Sequence, residues 1–209
     1  MFRRMACVLV AGVVFLAACE DDGVSPGDEL TPDDAQFVAD QMAAEVAGLL
    51  NDLFDSGAFG PSGAPALSHG PVVTSYTFSR SRPCHDGGTL TLEGGGTRTW
   101  DHEAVTYDVE SSGTKTRTDC AHTRNGGVIT LNGGGDWTHE RHYVDHAPTG
   151  SWITTYVGDF DWTKSTDKSG NCTFDLVRTI DTAENTRSLT GTVCGREIDR
   201  SGTWREADA

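Results

Sequence analysis

The densest cluster of chemically capable side chains runs His139-Glu140-Arg141-His142-Tyr143-Val144-Asp145-His146. On a β-strand successive side chains point to opposite faces, so Glu140, His142, Val144 and His146 share one face while Trp137, His139, Arg141 and Tyr143 share the other. Two imidazoles and a carboxylate on one face are ligands that zinc or copper accepts, with a further ligand expected from a neighbouring strand at His102 or Glu103. The metal reading therefore rests on His142, His146, Glu140 and His102, and the competing reading of the same residues is a solvated polar β face. The spacing is not that of a His-Glu-x-x-His zinc helix, because His142 follows His139 by three and a strand separates the two.

Other chemistry is thinner. Ser165-Thr166-Asp167-Lys168 matches a bare Ser-x-x-Lys, but it falls in an expected hairpin loop, and the companion Ser-Asp-Asn and Lys-Thr-Gly motifs do not occur. There is no Gly-x-Ser-x-Gly, and neither glycine triplet is followed by the Lys-Ser or Lys-Thr of a phosphate loop. Asp159-x-Asp161 opens like a calcium loop, yet Gly170 stands where the bidentate glutamate belongs. No residue is nominated as catalytic, and no cofactor is expected beyond a Zn or Cu ion. Trp100, Trp137, Trp152, Trp162 and Trp204, with Tyr107, Tyr143 and Tyr156, either fill a core or line a concavity for an apolar or sugar ligand.

The 209 residues include 31 Asp plus Glu against 16 Lys plus Arg, for a net charge of −15. Nucleic acid is excluded as a partner on this ground, because binding its backbone requires clustered cations to displace counterions, and no basic run is present.

Residues 1–18 carry a basic start at Arg3-Arg4 and an apolar run too short to span a bilayer comfortably. The run ends in Leu16-Ala17-Ala18-Cys19, which resembles the lipobox of bacterial lipoproteins. That resemblance covers only about the first twenty residues. It implies cleavage before Cys19, lipidation of its sulfur and acylation of the new N-terminus, and so a membrane anchor in the bacterial cell envelope, periplasmic or surface-exposed. Loss of Arg3 and Arg4 takes the charge from −15 to −17. Residues 19–70 hold 11 acidic and no basic residues, so the charge concentrates beside the anchor and repels an anionic membrane surface. Glu20-Asp21-Asp22 reads either as a sorting signal or as solvated spacer.

Residues 19–30 read as an acidic tether. Thr31 as N-cap, Pro32 at the first helical position and Asp33-Asp34 near the positive end of the dipole then predict an amphipathic helix over 31–56. Its apolar stripe is Val38, Met42, Val46, Leu49 and Leu53, widened by Phe37, Leu50 and Phe54, with Asp40, Gln41, Glu45 and Asp52 facing away. Residues 57–70 are a Gly/Pro linker.

Residues 71–209 hold 25 threonines, all five tryptophans and all four tyrosines, in short alternating runs. Turn signals at 85–88, 111–113, 125–127, 147–150, 167–170 and 182–185 predict an antiparallel meander of about seven to nine strands. The expected shape is a barrel or curved half-barrel with the helix packed against it. Gly87-Gly88-Thr89-Leu90-Thr91-Leu92 matches Gly126-Gly127-Val128-Ile129-Thr130-Leu131, and Trp100-Asp101-His102-Glu103 matches Trp137-Thr138-His139-Glu140, a repeat of roughly one hairpin. The triplets Gly94-Gly95-Gly96 and Gly133-Gly134-Gly135 are either tight turns or bulges.

Cys7 leaves with the signal and Cys19 is lipidated, so Cys84, Cys120, Cys172 and Cys194 remain for disulfides in an exported chain. Cys172 and Cys194 lie symmetrically about the turn at 182–185. Cys84 and Cys120 end strands on one rim. Zinc is the rival reading, but no Cys-x-x-Cys occurs. The expected function is non-catalytic binding or structural interaction with an envelope protein. The alternatives are a carrier of a small apolar or sugar ligand in the sheet's concavity, and a metal-binding protein or hydrolase built on the His-rich strand.

Overall fold

The computed structural model describes residues 30–55, 70–124 and 126–204. The signal, Cys19, and most of the tether and the linker lie outside the described residues. Helix α1 (Pro32–Asp55) begins where the capping signals place it. The Thr31 hydroxyl accepts the Asp34 amide at 3.2 Å and donates to the Asp34 carboxylate at 2.6 Å. Val38, Met42 and Val46 are fully buried with Ala35, Ala39 and Ala43, so small residues widen the stripe and let the helix approach the sheet closely. Glu45 does not face away. It is 6% exposed, and its reason for turning inward is a cation on the sheet.

The remaining elements are β1 (Val72–Pro83), β2 (Thr89–Asp101), β3 (Thr106–Arg124), β4 (Gly127–Val144), β5 (Ala147–Lys164), β6 (Lys168–Asp181), β7 (Thr186–Val193) and β8 (Arg196–Thr203). They pair antiparallel in sequence order in one open sheet with β1 and β8 at its edges. Laid flat, eight strands would span about 34 Å. Yet Arg82 of β1 donates to the Glu45 carbonyl at 3.0 Å, and Arg200 of β8 pairs with Asp40. Those two helix positions are only about 7.5 Å apart along the axis. Both edges therefore curl toward the same stretch of helix, and the sheet is a half-barrel wrapped around α1.

Two turn signals proved to be strand interior. Ser111-Ser112-Gly113 lies within β3, and the chain turns instead at 102–105, where the Asp101 carboxylate accepts the amides of Glu103 and Ala104 at 2.9 and 3.0 Å. Residues 147–150 belong to β5, and the preceding reversal is made by Asp145 and His146, both at positive φ (50° and 64°) as a tight hairpin requires. An unforeseen turn at Cys194-Gly195 adds the eighth strand. The glycine triplets are neither turns nor bulges themselves, since both are paired inside β2 and β4. A Cβ on Gly94 would stand 2.9 Å from the Trp137 ring, so this glycine leaves room for the indole. The bulge lies in β3 between Arg117 and Cys120, where the Asn132 side chain accepts the amide of Asp119 at 2.7 Å. The two repeat copies open β2 and β4, which run in the same direction. Their tryptophans sit at different levels: Trp100 faces Tyr107, whereas Trp137 faces Gly113.

Disulfides join Cys84 to Cys120 and Cys172 to Cys194. The core beneath the helix is built from Leu90, Leu92, Leu131, Trp137, Phe160, Trp162 and Leu176. By the register, every Lys and Arg of β1 to β8 occupies a position on this helix-bearing inner face, and every Asp and Glu of those strands lies on the outer one. The outer face is completed by threonines and serines, which hydrogen-bond across strands as in Thr138 with Thr155 (2.7 Å) and Ser81 with Thr91 (2.8 Å). The acidic N-terminal helix thus seats in a cationic trough.

Candidate functional site

The four metal candidates separate. Alternation along β4 puts Glu140 and His142 on the outer face, where the His142 Nδ1 meets the Asp108 carboxylate at 2.8 Å. His146 does not continue that face. The left-handed turn carries it to Trp100, ring centroids 5.6 Å apart, on the side of the sheet opposite His142. His102 packs on the same indole at 5.3 Å. Among the described residues no group of three or more His, Cys, Asp or Glu converges. The His142 and Asp108 side chains are 43% and 45% exposed, so His142→Ala is expected to change stability by less than about 1 kcal/mol in a urea melt. A larger loss would mean that this face is covered.

The inner face holds two polar clusters. The first lies under the helix. Arg117 Nε and a terminal nitrogen donate to one Glu45 oxygen at 3.0 and 2.6 Å, His122 Nε2 stands 3.7 Å from the other, and Lys115 Nζ donates to the Met42 carbonyl at 3.5 Å. Burial raises the Glu45 pKa, but the Arg117 and Lys115 cations overcome it and hold the carboxyl below its ordinary range. Lys115 is driven well below the usual amine value by burial and then by Arg117. A cavity of about 270 Å³ opens beside this cluster, lined by Gln41, Glu45, Arg82, His85, Leu90 and His122 among others.

The second cluster lies farther along the trough. Ser111, His139, Thr154 and Arg178 are direct cross-strand neighbours from β3 to β6. His139 Nε2 accepts from Arg141 Nε at 2.6 Å, which leaves Nδ1 to carry the proton donated to Thr154 Oγ1 at 2.8 Å. Burial, then the Arg141 and Arg178 cations, push the His139 pKa well down, so the ring is neutral. The Arg141 guanidinium lies over the Trp152 ring at 4.5 Å, placed there by an irregularity where β5 inserts extra residues between Thr149 and Ile153. Burial raises the Tyr156 phenol to about 12, against the pull of Arg178. Rimward of these groups runs a row of rings, Trp100, Tyr107, Tyr143, Trp152 and Trp204, with successive centroids 5.5 to 5.9 Å apart.

No family model, curated protein or solved structure matches this chain. Its chemistry has to be read from the trough itself. Sequence reasoning placed His139 and Arg141 on a common face but passed over them for the face that turned outward, and it did not single out Arg178. The usable signal was parity, since cations and aromatics alternate with acids and threonines in Asp136-Trp137-Thr138-His139-Glu140-Arg141. The arrangement sets guanidinium groups and a phenol beside a row of rings on the inner face of the half-barrel.

Proposed function

We propose that the chain is a lipid-anchored protein of the bacterial cell envelope, periplasmic or surface-exposed, that works by binding and without catalysis. The observation that carries the binding reading is the inner face, where buried guanidiniums and a row of aromatic rings continue beyond the polar cluster under the helix. Anchoring is supported by the Leu-Ala-Ala-Cys sequence and an acidic tether, and export by two disulfides, which persist in oxidising compartments. The aromatic row favours a small-molecule carrier as the second reading. The metal reading has no convergent ligand set among the described residues in its favour.

Cys19→Ser is expected to abolish incorporation of labelled fatty acid and to move the protein from the membrane to the soluble fraction. An unchanged membrane fraction would remove the anchor from the proposal. Native mass spectrometry of the exported protein tests the binding reading: a reproducible small-molecule adduct lost on denaturation supports it. A bare mass sends the search to envelope protein partners.

A further inference from the structure

The sheet ends on two strands of opposite character. β1 and β8 each pair with one neighbour among the described strands, and a strand so placed presents a row of backbone donors and acceptors with which another strand can pair. β8 is guarded. It is short, Arg196, Glu197, Asp199 and Arg200 crowd charge into its first half, and its arginines tie it down, Arg196 to the Leu30 carbonyl at 2.8 Å and Arg200 to Asp40. β1 is not guarded in this way. From Val72 to Ser79 it reads Val-Val-Thr-Ser-Tyr-Thr-Phe-Ser, a run of strand-forming residues without charge, proline or glycine. Its outer positions Val73, Ser75, Thr77 and Ser79 are exposed, Val73 at 62%. Of the two edges, only β1 adds no carboxylate to the acidic outer face.

We infer that β1 is a pairing edge for a second copy of this chain. The two β1 strands run antiparallel about a two-fold axis beside Ser75 and Tyr76 and join the half-barrels into one continuous sheet. The charges favour this partner. Each copy carries a net −15, so two copies repel wherever their acidic outer faces approach, and the neutral stretch of β1 lets backbones meet with no like charges opposed. Opposite residues of an antiparallel pair share a face, so Val73 of one copy faces Thr77 or Ser79 of the other, and on the inner face Phe78 meets Val72 or Thr74. The nearest outer carboxylate, Glu93, lies one strand in, opposite Ser79, whose hydroxyl donates to it at 3.2 Å. Arg80 and Arg82 occupy the C-terminal end of β1, and antiparallel pairing sends the two copies' arginines to opposite ends of the joint. A two-fold normal to the sheet keeps both helices on one side of it, which suits two copies anchored in one membrane, though the pairing stands without the anchor.

The test is sedimentation equilibrium of the full chain in an excess of density-matched non-ionic detergent, with the mass of the protein component as the readout. Wild type is expected to dimerise in a concentration-dependent way, and more tightly as salt is raised, because screening relieves the repulsion between two acidic copies. Val73→Lys with Thr77→Lys places charge on exposed edge positions and is expected to weaken the dimer by about tenfold or more while the strand signal in circular dichroism is kept. Val73→Glu with Thr77→Glu is expected to do the same, and a mixture of the two variants to restore pairing as a heterodimer. Ser75→Cys is expected to join two copies through a short bismaleimide, whereas Ser201→Cys, also exposed but on β8, is not. A dimer that survives the lysine pair forms elsewhere and overturns the inference. A monomer at every concentration overturns it too. If Ser75→Cys then resists maleimide, residues 56–69 of the same chain cover the edge; if it reacts, the edge is open to a different envelope protein.

Discussion

Glu45→Leu alone is expected to lower stability by about 3–5 kcal/mol, measured by urea unfolding of the oxidised protein at neutral pH. The substitution adds apolar surface to a helix stripe and so looks harmless on a helical wheel. Its cost lies on the sheet, where Arg117 is 1% exposed and donates two hydrogen bonds to one Glu45 oxygen. Lys115, 2% exposed on the same strand, loses the carboxylate that opposes its desolvation. The pair is not fully satisfied, since the second Glu45 oxygen and one Arg117 terminal nitrogen have no hydrogen-bond partner. Replacing both partners, Glu45→Leu with Arg117→Met, is therefore expected to recover most or all of the loss. If the double variant is as unstable as the single one, the helix is held by packing at Glu45 and not by charge. Glu45 also ties the helix to the edge of the sheet, because its backbone carbonyl accepts from Arg82 of β1.

Where the sequence spoke through periodicity it was read well, and where a residue's partner lay far along the chain it was not. Val38, Met42 and Val46 declared the buried stripe of α1 because apolar residues at helical spacing gain most by packing on a neighbouring element. Glu45 sits among them, and polarity alone placed it in solvent. Its partner is 72 residues away on a strand whose register had to be known first. Strand content was legible from alternation, but two turn strings, Ser111-Ser112-Gly113 and Ala147-Pro148-Thr149-Gly150, occur inside long strands. The working turn at 102–105 contains neither Gly nor Pro and depends on Asp101, whose side chain does what a glycine would otherwise permit. The site was missed for a related reason. His142 and His146 attracted attention as metal ligands on an assumed continuous strand, and two residues at positive φ ended that strand between them. Arg178 carried no motif at all. Only the register, which seats it beside Thr154 and so near His139, gives it a context.

Acid is expected to unfold this protein earlier than its carboxylates alone would dictate. His139 and His122 both have pKa values lowered by burial, His139 well below the ordinary 6.5. The unfolded chain therefore binds protons at these positions that the folded one refuses, and stability falls as the pH drops through 6.5. For His139, 2% exposed, the limiting slope is about 1.4 kcal/mol per pH unit, continuing until its folded value is reached. Glu45 works in a lower window. Its folded pKa is held below the ordinary 4.5, so its contribution is intact above that value and is lost only as the pH falls through the depressed one. Urea midpoints between pH 7.5 and 5 thus isolate the imidazoles. His139→Gln is expected to flatten that limb by about one proton's slope whatever it does to absolute stability, because glutamine offers the same donor and acceptor without a titrating ring. An unchanged slope would mean that His139 takes up its proton as readily in the folded protein as in the unfolded chain, and that burial does not depress its pKa.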